Sequence, residues 1–86
     1  MELKDTVSLM LSEDYRERFV AEYSQLAIRY KGLKKMLQKW EDGTLEFAPT
    51  CSRDLLMRQS WLMWDYLCLL RARADIENVG LPDVSF

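Results

Sequence analysis

Two arginines and a set of aromatic rings are the side chains best suited to chemistry in this chain. Arg71 and Arg73 follow the most apolar stretch of the sequence. Tyr15, Arg16 and Phe19 open the first long helical pattern, and Tyr66 precedes the arginine pair by about one helical turn. A guanidinium offers a planar fork of donors to phosphate or carboxylate, and it also stacks on aromatic faces. Arg71 and Arg73 face different ways on their helix; if the two long helical patterns run antiparallel, these six residues come near one another at one end and suit an anion or a nucleotide. The plain alternative is ion pairing of Arg71 and Arg73 with Glu13, Asp14 and Glu17, close to Arg16. Asp65, inside Trp61-Leu62-Met63-Trp64-Asp65-Tyr66, reads either as an exposed charge beside Arg58 or as an acceptor at an interface rim.

Other chemistries lack their residues. The chain holds no His, so a Ser–His–Asp or Cys–His nucleophile, an imidazole base and a His zinc ligand are all missing. The three glycines stand apart and form no phosphate loop. No catalytic residue, metal site or cofactor is expected, and the chain does not read as an enzyme. The net charge of −2 gives no footprint for general nucleic-acid binding. Arg29, Lys31, Lys34, Lys35 and Lys39 read as a solvated face that complements a helix dipole. Cys51 and Cys68 form no C-x-x-C pair and read as reduced thiols in a cytoplasmic protein. A signal peptide is not expected. The nearly apolar run Trp61–Leu70 is far short of the roughly 20 residues that span a bilayer.

The elements that position these residues follow from the spacing. Phe19, Tyr23, Leu26, Tyr30, Leu33, Leu37 and Trp40 recur at alternating steps of four and three, the seam of a coiled-coil-like helix. That helix is placed at 13–41, about 43 Å long, with Ser12 as N-cap and Gly43 beyond its end. Gly32 interrupts it, and close approach of another backbone is the expected reason. A connector, 42–52, carries Leu45 and Phe47, which are expected to fold back on the helices. Thr50 or Ser52 caps a second helix, 53–78, which Gly80 and Pro82 end. Residues 1–11 form an arm or short extra helix, and 79–86 a loosely held tail. The whole chain, 1–86, reads as one all-α domain, an antiparallel two-helix hairpin.

The second helix carries three apolar stripes on its wheel. Leu55, Leu62, Tyr66, Leu69 and Ile76 suit the seam of the first helix. Leu56, Met63, Leu67, Leu70 and Ala74 lie beside them. Met57, Trp61, Trp64 and Cys68 lie nearly opposite the first stripe, and with Asp65 they form the expected oligomer or partner face. One hairpin cannot cover three stripes, and 49% of the residues are hydrophobic. A soluble monomer rarely leaves such a patch in water. Self-association into a helical-bundle homo-oligomer follows. The alternatives are that the N-terminal arm covers the patch, or that a partner protein does.

The stretch from Ser12 to Leu37, with Glu17-Arg18-Phe19-Val20-Ala21-Glu22-Tyr23-Ser24-Gln25-Leu26 at its centre, carries a resemblance. So do Leu45, Phe47 and Pro49-Thr50-Cys51 in the connector, and Tyr66-Leu67 through Arg73-Ala74-Asp75-Ile76-Glu77. Over residues 12–81 the chain resembles a family of small helical phage and prophage proteins labelled crAss-phage-related. It departs from that pattern at Trp61, Trp64 and Cys68, which are bulkier or more apolar. The resemblance implies an accessory phage product in a bacterial cytoplasm, of the kind that counters host defence. By fold-level analogy with phage nucleotide sponges, it implies a homo-oligomer holding a cyclic nucleotide or ADP-ribose-type signal between subunits. The competing implication is an inhibitor that docks on a host defence protein.

Overall fold

In a computed structural model, residues 1–84 are described; most of them are helical, and no strand is among them. A 3-10 turn, Leu3–Thr6, runs into α1, Val7–Met10. Two long helices follow, α2 at Tyr15–Glu41 and α3 at Arg53–Glu77. The molecule is 43 Å long and 24 by 20 Å across. Its length is set by α2, whose 27 residues rise about 40 Å.

Each long helix starts and stops for a local reason. Asp14, not Ser12, caps α2, its carboxylate accepting from the Arg16 N–H at 2.9 Å. Ser12 instead closes a turn, its hydroxyl accepting from the Asp14 N–H and donating to Glu17. At the far end the Thr44 N–H donates to the Lys39 carbonyl and the Gly43 N–H to the Trp40 carbonyl. That pair of bonds needs a left-handed residue between them, and Gly43 supplies φ +73°. Ser52 caps α3 by accepting from the Leu55 N–H. Asn78, at φ 59°, ends it two residues before Gly80, because Asn tolerates the left-handed region.

Helices α2 and α3 lie side by side in opposite chain directions. The start of one meets the end of the other through Tyr15 and Glu77, and the far ends meet through Glu41 and Arg53. Phe19, Tyr23, Ala27 and Tyr30 of α2 bury against Leu67, Leu70 and Ala74 of α3. Ala27 and Ala74, both almost wholly buried, let the helices approach while the aromatic rings fill the space beside them.

Five expectations need correction. The stripe Leu55, Leu62, Leu69 and Ile76 does not face α2: these residues are 55%, 66%, 64% and 84% exposed. The aromatic seam of α2 takes the slimmer neighbouring stripe and leaves this one outside. The N-terminal segment packs on α2, with buried Thr6 accepting from Gln25, and so does not cover α3. The tail is not loose over its described part, because Leu81 and Val84 pack on the core; Ser85 and Phe86 lie outside the described residues. Phe47 is 59% exposed rather than folded back, and only Leu45 is half-buried. Gly32 has open space around it, with no atom within 4 Å of an added Cβ, so no backbone approaches it within the chain.

Candidate functional site

The expected site residues divide between two edges of the α2–α3 contact. On one edge Tyr15, Phe19 and Arg73 meet. The Arg73 guanidinium lies 4.9 Å from the Phe19 ring centroid and donates to the Tyr15 hydroxyl at 2.8 Å. Tyr15 packs edge-on against Phe19, 6.2 Å between centroids. Tyr66 extends this edge, its hydroxyl donating to Glu22. Arg16 is exposed, and no described hydrogen bond joins its side chain to the group.

Arg71 belongs to the other edge, because residues two apart on a helix point about 200° apart. Its Nε donates to the Tyr23 hydroxyl at 3.2 Å, and its guanidinium sits 5.7 Å from the Trp64 ring. Trp64 in turn lies tilted against Tyr30, 5.7 Å between centroids and 36° between planes. A groove of about 430 Å3 runs between Tyr23, Arg71, Asp75 and the tail residues Leu81 to Val84. A second groove, about 440 Å3, is lined by Tyr30, Lys34, Trp61, Trp64 and Asp65. Trp61 is 60% exposed there. Met57 is half-buried, and Asp65 and Cys68 are exposed. Cys51 and Cys68 are both free thiols.

Two acids complete the first edge, and the sequence reading passed over both. Glu77 accepts from Tyr15 at 2.8 Å and pairs with Arg73 at 3.2 Å. Glu22 accepts from Tyr66. The signal for Glu77 was its place four residues after Arg73, a spacing that brings helical neighbours together. Arg73 therefore finds its acid on its own helix, not among Glu13, Asp14 and Glu17. The hydrogen bond to Glu77, then burial, raise the Tyr15 pKa above its ordinary 10.0. Glu22 does the same for Tyr66. Desolvation works against the Arg73 cation, but its bonds to Glu77 and Tyr15 outweigh that and its pKa rises.

Chemically, this edge is a cation stacked on an aromatic face with two phenol hydroxyls beside it. An incoming phosphate or carboxylate would replace Glu77 on Arg73, exchanging one charge-assisted bond for another. Among the described residues no group of His, Cys, Asp and Glu is placed to hold a metal ion, and no helix is long and apolar enough to cross a membrane.

Fold and site together define a small all-helical protein whose distinctive surface is aromatic and cationic. The Sequestin family model matches residues 13–76, well over half of the chain, so the protein belongs to the Sequestin family. The matched span holds nearly all of α2 and α3 and leaves out the N-terminal segment and the tail. No curated protein and no solved structure matches the chain.

Proposed function

We propose that this protein sequesters a phosphate-bearing, nucleotide-type immune signal at junctions between copies of itself, as a phage-encoded accessory protein in a bacterial host. The chain works as a helical hairpin that binds and assembles without turning its ligand over. The family name speaks of sequestration. The observation that carries the reading is the Arg73 guanidinium stacked on Phe19 with the Tyr15 hydroxyl bonded to it. A fork of donors beside the exposed Tyr15 and Tyr66 rings suits a phosphorylated heteroaromatic better than a simple anion.

Calorimetry against cyclic dinucleotides and ADP-ribose derivatives tests it. Saturable heat with one of them, weakened at least tenfold by Arg73→Ala, is the expected result. No heat and no thermal shift with any of them would overturn it.

A second reading rests on the other edge. Trp61, exposed beside the Tyr30–Trp64 pair, forms with Met57, Asp65 and Cys68 a surface suited to docking on a host defence protein, since Trp is a favoured interface anchor. A stoichiometric protein partner recovered from host lysate, lost on Trp61→Ala, supports this reading. A co-purified small molecule absorbing near 260 nm supports the first.

A further inference from the structure

The outward face of α3 carries an apolar ridge of exact seven-residue period. Leu55, Leu62, Leu69 and Ile76 are each more than half exposed. Among the described residues no other segment covers it: the N-terminal segment lies on α2, and Leu81 and Val84 pack on the core. One apolar residue per heptad makes a narrow ridge rather than a full a/d seam, and a second helix laid along it takes it out of water. The ridge spans about 32 Å of helix. With Arg58, Gln59, Tyr66 and Arg73 along its borders, it has an apolar centre and a polar rim, the layout of a protein interface.

Its two halves differ in shape. Along the first half a groove of about 470 Å3 opens between Leu55, Arg58, Gln59, Leu62, Met63 and Tyr66. In the second half Ile76, 84% exposed, stands furthest into solvent of the four. A groove and a knob on one helix complement each other only when the second helix runs the opposite way. Parallel copies would set groove on groove and knob on knob.

We propose that a second copy of this chain docks here, α3 against α3 in antiparallel two-fold pairing, with Leu69 and Ile76 of each copy seated in the Leu55–Tyr66 groove of the other. The proposal rests on the self-association in the function proposed above and names its face. It assigns self-association to this ridge and leaves the Trp61 edge open. A two-fold contact is self-complementary and closes as a dimer. It sets the two Tyr66 residues close to the axis, so the Arg73 edge of each copy borders the junction.

Light scattering behind size exclusion tests the face in the full chain, wild type beside Leu62→Glu plus Leu69→Glu. Wild type is expected at a multiple of 10.2 kDa. The double variant is expected at half that mass or less, with unchanged helical circular dichroism. An associated wild type with an equally associated variant overturns this face and spares self-association. A wild type of 10.2 kDa overturns both. Orientation is read by oxidising a Leu55→Cys, Ile76→Cys variant in a Cys51→Ser, Cys68→Ser background. Links from position 55 of one copy to 76 of the other are expected. Links of 55 to 55 and 76 to 76, or none, contradict the antiparallel arrangement.

Discussion

Glu77 holds Arg73 at 3.2 Å and accepts from Tyr15 at 2.8 Å, occupying the acceptor position that an incoming anion needs. Glu77→Gln keeps the shape and removes the competing charge. It is expected to tighten phosphate-bearing ligands several-fold, read by calorimetry, and weaker binding would show that Glu77 touches the ligand itself. The same bonds set a pH limit. Tyr15 and Tyr66 titrate above 10.0 when folded, so below pH 10 both states hold these protons and the stability is fully present. As pH rises past the unfolded value, only the unfolded chain gives its protons up, and stability falls through the folded pKa. Thermal melts from pH 8 to 11 are expected to show this decline, shallower in a Tyr15→Phe, Tyr66→Phe variant. Ser24 is fully buried and its hydroxyl has no hydrogen-bond partner, a desolvation cost without return. Ser24→Ala is expected to raise stability by about 1 kcal/mol in denaturant titration.

At the scale of elements, the α2 seam was legible because its four–three spacing continues without a slip from Phe19 to Trp40. The caps were nearly legible. Asp14 took the place of Ser12 because both can accept an amide bond, and the chain uses Ser12 two residues earlier to hold Asp14. The α3 face turned to α2 was not legible. Periodicity gives the angle between stripes, but three stripes of α3 are apolar, and only packing against Ala27, Tyr23 and Tyr30 selects Leu67, Leu70 and Ala74. The site was half legible. Antiparallel helices bring Tyr15 and Phe19 to Arg73, whereas the 200° step between Arg71 and Arg73 sends Arg71 to Tyr23 and Trp64. Gly32 sits exposed in the interior of α2 with open space about it. Gly32→Ala is therefore expected to stabilise the chain by about 1 kcal/mol, seen as a higher melting temperature. A lower association state in that variant would place Gly32 in a contact between copies.

For the whole molecule, the surplus of apolar side chains is the governing fact. One pair of long helices and a short N-terminal segment hide a narrow core, and they leave Leu55, Trp61, Leu62, Leu69 and Ile76 mostly in water. The aromatic–cation edges flank that exposed helix, so the proposed assembly and the proposed ligand site share one element. A native mass spectrum of full-length protein purified from a bacterial host reads both together. A closed multiple of the 10.2 kDa chain, carrying extra mass that matches a phosphate-bearing small molecule, is expected. A bare 10.2 kDa species, with no retained ligand and no second copy, would contradict it.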